Sequence, residues 1–269
     1  MLVSAPLTKA PPQVESSHWY TREGRCAYQQ KTAKGGQRPT DLRDARKLGL
    51  VPSVTTVLSV MAKDALTTWK VKQGIWAALT LPRIAGESDD AFMDRILSDS
   101  KQQAKAAAEE GDRIHDACER AMKGQDYPQA YWPHVEAALG ELDRLFPGVT
   151  DWIAEASFSH PLGYGGKVDV HSPSTGIVAD YKSKDGDLTD GKRLAYDQNI
   201  QLAAYQKGLY LPPAPCANIF LSRTHPGAVA SHIWTPGKVA SGWAQFDKAL
   251  ALWKAVKGLD TSFSLEQAA

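Results

Sequence analysis

Apolar and polar positions along the chain follow two periodicities, and the change from one to the other falls near residue 150. Before it, apolar residues recur every three or four positions, the spacing that places them on one face of a helix. After it, short segments alternate between apolar and polar residues, as half-buried strands do, and helical spacing then returns. Helices are predicted over residues 64–81, 88–123, 129–145, 193–210 and 238–257. Strands are predicted over residues 151–160, 167–172, 177–183, 217–222 and 229–234.

This order of elements predicts an α/β (α+β) fold, in which helices flank a central mixed β-sheet behind a helical N-terminal half. Residues 1–50 contain Ala-Pro, Pro-Pro and Gly-Gly pairs, which predict a basic, loop-rich, loose N-terminal arm. A new segment begins at Val51, where Ser53 or Thr55 is placed to cap a helix. We expect a single domain over residues 51–269. Its parts are a helical part (51–148), an α/β core (149–235) and a C-terminal helix (238–257).

Composition narrows the class of protein. A hydrophobic share of 43% and a charged share of 23% over 269 residues are those of an ordinary globular chain. No apolar run reaches the roughly 18 residues that a membrane-spanning helix needs, and residues 1–17 resemble neither a signal peptide nor an anchor. Cys26, Cys118 and Cys216 are far apart, which argues against a disulfide framework, a zinc site and an iron–sulfur cluster. We expect a protein of the reducing cytoplasm with no membrane partner.

The charge is unevenly distributed, although the net charge is only +1. Residues 1–72 contain twelve Lys and Arg against five Asp and Glu, and the remainder contains nineteen against twenty-five. Such a division is typical of a chain that holds a polyanion with one part and cations with another, and equally of a solvated basic surface.

A short hairpin carries the candidate chemistry. The tight-turn sequence at residues 173–176 joins two predicted strands, and counting outward equally from it pairs Asp169 with Asp180. Facing Cβ atoms lie roughly 4.5–5.5 Å apart, so two like charges there destabilise a sheet unless a cation compensates them. Lys182, two residues beyond Asp180, projects from the same face. The alternative is an exposed hairpin with a surface Asp–Lys ladder.

Four short motifs stand in a fixed order around this hairpin. They are Gly111 with His115, Gly166-Lys167-Val168-Asp169, Asp180-Tyr181-Lys182, and Gln201 with Tyr205. Together they resemble the PD-(D/E)XK nuclease superfamily, in particular its RecB-like branch of phage recombination exonucleases. The resemblance covers roughly residues 105–210 and implies a restriction-endonuclease-like core.

The resemblance implies a role for each matching residue. Asp169 and Asp180 would be metal ligands and part of the catalytic group, Lys182 the catalytic lysine, and His115 a further metal ligand from the helical half. Gln201 and Tyr205, on one helix face, would contact DNA or orient the lysine. Glu155 matches an acidic position that often belongs to the catalytic group of these nucleases. The implied cofactor is Mg²⁺, for which Mn²⁺ substitutes because an imidazole is a softer ligand than Mg²⁺ prefers.

The implied activity is metal-dependent hydrolysis of DNA phosphodiester bonds by an exonuclease that acts on double-strand ends in recombination or repair. Linear duplex DNA is the expected substrate, and Lys63, Lys70 and Lys72 are among the charges expected to hold its backbone. A single-strand annealing protein and further copies of the chain are partners that the resemblance allows. The chain has no P-loop motif, so any helicase would be a separate protein.

Three alternatives remain open at the level of sequence. One is a structure-specific or single-strand endonuclease of defence or host takeover, and another is a non-catalytic DNA-binding relative. The third, a helical protein-interaction domain, accords poorly with the strand–turn–strand block. Lys184 and Asp185, just past the motif, either contact phosphate or belong to a charged loop.

Overall fold

The computed structural model describes residues 18–62 and 64–264, with side chains left undescribed for residues 64–66. The strands are β1 Trp19–Tyr20, β2 Gln29–Lys31, β3 Gln37–Pro39, β4 Val51–Pro52, β5 Ile153–His160, β6 Tyr164–His171, β7 Val178–Lys184, β8 Cys216–Ser222 and β9 Val229–Trp234. The helices are α1 Leu42–Leu48, α2 Val54–Val57, α3 Asp64–Thr80, α4 Asp89–Met122, α5 Trp132–Leu145, α6 Gly191–Ala195, α7 Asn199–Gly208 and α8 Pro236–Lys257.

The central sheet has five strands in the order β5-β6-β7-β8-β9. Neighbouring strands are antiparallel except β7 and β8, which run parallel. A parallel pair needs a crossover connection, and α6 and α7 supply it. The predicted α+β class, a mixed sheet flanked by helices, is therefore confirmed.

Helices cover both faces of the sheet, as the burial of β8 shows. All seven of its residues are buried, as in strands that are covered by helices on both sides. Cys216 and Phe220 belong to a first core with α2, α7 and α8. Ala217, Ile219 and Leu221 belong to a second core with α4 and α5. The helices α7 and α8 thus lie on one face of the sheet, and α4 and α5 lie on the other.

The expectation of a loose arm over residues 1–50 is wrong for the part that the structure describes. Trp19, 1% exposed, packs into the first core together with Ala45 and Leu50, and β1 pairs with β4. The Gly35-Gly36 pair lies at the turn between β2 and β3, and buried apolar side chains hold the short elements in place. Residues 1–17 lie outside the described residues, and the domain boundary at residue 50 remains a prediction.

Helix boundaries agree with the sequence where caps are strong. Ser53 caps α2 as predicted, accepting a hydrogen bond from the Thr56 amide at 3.0 Å. Ser88 likewise caps α4. The single helix predicted over residues 193–210 is instead divided into α6 and α7, because Tyr196 adopts a positive φ of 45° that helical backbone does not permit.

Two expectations from composition concern membranes and thiols. None of the helices in the described ranges is long and apolar enough to cross a membrane.

Cys118 and Cys216 are buried free thiols and Cys26 is an exposed one. Burial raises the pKa of the Cys118 and Cys216 thiols to about 12, so both stay protonated.

Candidate active site

The hairpin of β6 and β7 sets the positions of the two candidate carboxylates. Val170 pairs with Ala179, and His171 pairs with Val178. This is the register that equal counting from the turn at residues 173–176 gives. The predicted turn and register are therefore confirmed for the residues next to the turn.

The ladder of paired residues between β6 and β7 stops at Val170 and Ala179, one position before Asp169 and Asp180 would pair. Instead, the Tyr181 amide donates a hydrogen bond to Asp169 Oδ2 at 2.8 Å. Val168 packs into the first core and Val170 into the second, although residues two apart share a face in a regular strand. The strand is thus irregular at Asp169, and the carboxylate takes the place of a backbone acceptor.

Asp180 lies in a buried position where each oxygen has a donor. Its side chain is 3% exposed, and Lys182 Nζ lies 2.6 Å from Oδ2. Asn218 Nδ2 donates to the same oxygen at 3.0 Å, and Gln201 Nε2 donates to Oδ1 at 3.3 Å. A carboxylate at this depth is tolerated because such donors replace water. The structure thus places Lys182 on the same face as Asp180, as the sequence predicted.

Asn218 is the member of this cluster that the sequence analysis missed. It lies on β8 level with Asp180 on the parallel β7 and is fully buried. Its Oδ1 accepts a hydrogen bond from Trp234 Nε1 at 2.8 Å, while its amide donates to Asp180. The available signal was a lone amide inside the apolar run of β8, because a buried polar side chain needs a partner.

His115 reaches the hairpin from the helical half. It lies on α4, with Nδ1 3.5 Å from Asp169 Oδ2, and its ring meets the Tyr181 ring edge-on. One turn earlier, a Cβ added to Gly111 would lie 2.5 Å from Ser183 Oγ. The glycine of this motif therefore permits α4 to approach β7 closely enough for His115 to reach the carboxylates.

Gln201 and Tyr205 reach the cluster from α7, on the other face of the sheet. Gln201 Nε2 donates to the Tyr205 hydroxyl at 2.7 Å as well as to Asp180. Burial raises the pKa of Tyr205, so the hydroxyl stays neutral. In this structure the pair orients the Asp180 carboxylate.

Glu155 lies beside the cluster without joining it. Its position on β5 is opposite Asp169, between the pairs Ala154–Val170 and Ala156–Val168. Its carboxylate forms an ion pair with Lys167, and no hydrogen bond or ion pair among the described residues links it to Asp169, Asp180 or Lys182. Its φ of 60° is uncommon for a residue other than glycine. The backbones of β5 and β6 are thus both irregular at one level of the sheet.

Burial and neighbouring charges separate the pKa values of the two carboxylates. Burial raises the pKa of Asp180, and the nearby Asp169 charge raises it further, so that Lys182 compensates only in part. Burial also acts to raise the pKa of Asp169, but His115 and Lys182 outweigh it and lower this pKa. Burial lowers the pKa of His115, but the interaction with Asp169 outweighs it and leaves the pKa raised. Asp169 is therefore the carboxylate that keeps its charge most firmly.

The carboxylate oxygens of the cluster suit a hard divalent cation such as Mg²⁺, and the imidazole nitrogen is a softer ligand that Mn²⁺ accepts more readily. In the ranges 18–62 and 64–264, no three His, Cys, Asp or Glu side chains are already arranged as a metal-binding group. Asp180 is paired with Lys182, and Asp169 lies beside His115. A cation bound here would take the place of the Lys182 ammonium beside Asp180, while Asp169 and His115 would both become its ligands.

Comparison with known proteins adds little to this geometry. No protein-family model matches the chain, and no curated protein matches it. The crystal structure of a phage-related exonuclease from Haemophilus somnus 129PT aligns at a TM-score of 0.31 and 11% identity, over 62% of this chain and 86% of that one. The structure of SSO0001 aligns at a TM-score of 0.28 and 13% identity, over 67% of this chain and 85% of that one. Likeness at this level carries no weight for either fold family or function.

Proposed function

We propose that this chain is a metal-dependent deoxyribonuclease, a hydrolase that cleaves phosphodiester bonds of DNA. One observation supports the proposal above the others: two carboxylates and a lysine on one hairpin meet a histidine from α4 and a glutamine from α7. The elements that supply them come from both faces of the sheet and from distant parts of the chain. A surface Asp–Lys ladder would need none of this convergence.

Each side chain has a defined task under this proposal. Asp169, Asp180 and His115 would hold Mg²⁺ or Mn²⁺. Bound there, the cation would supply a polarised water and neutralise charge that develops on the phosphate. Lys182 Nζ, which now donates to Asp180, would turn its donors toward the water or a phosphate oxygen, where a fixed ammonium stabilises developing charge. Gln201 would keep Asp180 oriented as Lys182 moves away.

Lys184 extends the same row and is proposed to contact a neighbouring backbone phosphate. Alternate residues of β7 share a face, so Asp180, Lys182 and Lys184 follow one another along it. Burial lowers the pKa of Lys184, and the positive charges of Lys182 and Arg223 lower it further. A phosphate would relieve this crowding of positive charge. Asp185, by contrast, pairs with Arg223 and is the charged-loop residue of the two.

We favour an exonuclease on double-strand ends in recombination or repair, located in the cytoplasm and supplying single strands to an annealing protein. The second candidate is an endonuclease of defence or host takeover. Both use the same cluster, so substrate topology must separate them.

The test uses three end-labelled or closed DNA substrates: a linear duplex, a closed circular duplex and a single strand, each with Mg²⁺, with Mn²⁺ and with chelator. We expect progressive loss of the linear duplex with metal only, and no loss with Lys182→Ala. Lys248→Ala, an exposed lysine on α8, is the matched control and should retain full activity. Cleavage of circles would favour the endonuclease. Binding without cleavage in either metal would refute the proposal and leave a non-catalytic DNA-binding relative.

A further inference from the structure

Large apolar side chains are exposed in one region of the molecule, on α3 and the start of α4. Eight of the seventeen that the described residues expose lie between residues 69 and 97. They are Trp69, Val71, Ile75, Trp76, Leu79, Ile84, Met93 and Leu97. Contiguous apolar surface of this kind marks an interaction site, whereas scattered single residues do not.

α3 turns its apolar residues outward, whereas an ordinary surface helix turns them toward the core. Its least exposed described residues are Gln73, Gly74 and Ala77, of which only Ala77 is fully buried. Val71, Ile75 and Leu79, spaced four apart in one row, are 56%, 54% and 74% exposed. A surface helix normally turns its apolar row toward the core. The outward row of α3 therefore has no partner in the part of the chain that the structure describes.

α4 presents a shorter row of the same kind. Met93 and Leu97, four residues apart, are 50% and 52% exposed. Phe92, in the same turn, is buried beneath the guanidinium groups of Arg83 and Arg95. α4 therefore already has its own inward face, and the Met93–Leu97 row is additional to it.

The two rows differ in the charges that accompany them. Lys70 and Lys72 are the charged residues of α3 beyond its first turn, whereas Asp90 and Asp94 adjoin the α4 row. None of these four has an ion-pair partner among residues 18–62 and 64–264. Nearby charges do, since Arg83 pairs with Asp89 and Arg95 with Glu87. The α3 row is thus apolar with basic neighbours, and the α4 row is apolar with acidic neighbours.

We propose that the α3 row of one copy of this chain docks on the α4 row of a second copy. Opposite charges would then flank a shared apolar contact, an arrangement in which one surface is complementary to another on the same molecule. DNA is a poorer occupant, because phosphates would meet Asp90 and Asp94 and the rows are mainly aliphatic. The inference does not depend on nuclease activity.

The first experiment measures self-association by sedimentation over a range of protein concentrations. The wild-type chain of 29.3 kDa should sediment as a multiple of that mass at micromolar concentration. Ile75→Glu with Leu79→Glu should weaken the association at least a hundredfold, because two aliphatic side chains lose their burial. Circular dichroism would verify that the variant remains folded. A monomeric wild-type chain, or unchanged association in the variant, would overturn the proposal.

The second experiment exchanges the charges. Lys70→Glu with Lys72→Glu gives one variant, and Asp90→Lys with Asp94→Lys gives another. Each alone places like charges together and should associate about tenfold or more weakly than the wild type. A mixture should restore association, because each α3 then faces an α4 of opposite charge. Failure of the mixture to restore it would refute the α3–α4 contact, as would a loss of DNA binding by these variants without any change in association.

Discussion

Replacing Asn218 by alanine tests the hydrogen-bond chain that holds the candidate site. The fully buried amide links Trp234 Nε1 to Asp180 Oδ2 through bonds of 2.8 and 3.0 Å. Loss of a bond to a carboxylate costs about 1.5–3 kcal/mol, and a buried N–H without an acceptor costs about 1–3 kcal/mol. The free energy of unfolding should therefore fall by about 3–5 kcal/mol. For a chain of this length that lowers Tm by about 5–9 °C.

Urea unfolding of four proteins measures this effect: the wild type, Asn218→Ala, Trp234→Phe and the double variant. Trp234→Phe removes the indole donor, leaves the buried Asn218 Oδ1 without a partner and should cost about 1–3 kcal/mol. In the double variant no unsatisfied indole N–H remains, so the combined cost should be smaller than the sum of the single costs. A loss below about 1 kcal/mol for Asn218→Ala, or strict additivity of the two changes, would refute the reasoning.

Three further predictions concern packing, pH and metal. Gly111→Ala should destabilise the chain by about 1–3 kcal/mol, because the new Cβ would lie 2.5 Å from a hydroxyl on β7. Gly140→Ala, in the open interior of α5, should stabilise it by about 0.5–1 kcal/mol, and urea unfolding measures both changes. Burial lowers the pKa of His160 from 6.5 to about 4. The unfolded chain therefore binds the extra proton, and between these pH values stability should fall by about 1.4 kcal/mol per pH unit of acidification. A His160→Asn variant should show a shallower fall in urea titrations. Because the pKa of His115 is raised from its usual 6.5, Mn²⁺ binding should release protons near pH 6, and calorimetry in two buffers that finds no release would contradict this.

The hairpin was predictable because a tight turn and an alternating pattern fix the register together. A register slip of one residue would move Val178, and with it all the remaining residues of β7, to the opposite face of the sheet. The same counting failed one step farther on, at Asp169 and Asp180, because a regular ladder was assumed where the strand is irregular. Local pattern contains no information about a side chain that replaces a backbone acceptor.

Of the side chains that reach the carboxylates from distant parts of the chain, some could be predicted from the sequence and others could not. His115 and Gln201 could be placed near the carboxylates only through their resemblance to a motif order, since nothing in α4 or α7 alone indicates where those helices pack. Asn218 belongs to no such motif, so its partnership with Asp180 required the parallel pairing of β7 and β8. The outward apolar row of α3 was equally hidden, because periodicity identifies a face without saying what covers it.

The hydrogen bond from the Tyr181 amide to Asp169 Oδ2 affects which substitution at Asp169 is suitable for testing the site. Asp169 stabilises the hairpin by accepting this hydrogen bond and also supplies a negative charge. Deleting its side chain would therefore disturb β7, and a structural effect could not be told apart from a catalytic one. Asp169→Asn keeps an oxygen that can accept from the Tyr181 amide, while it removes the charge and replaces the other oxygen by an NH2 group. If the proposed function holds, Asp169→Asn would therefore be an inactive form that keeps its architecture, and it would be the suitable one for trapping bound DNA.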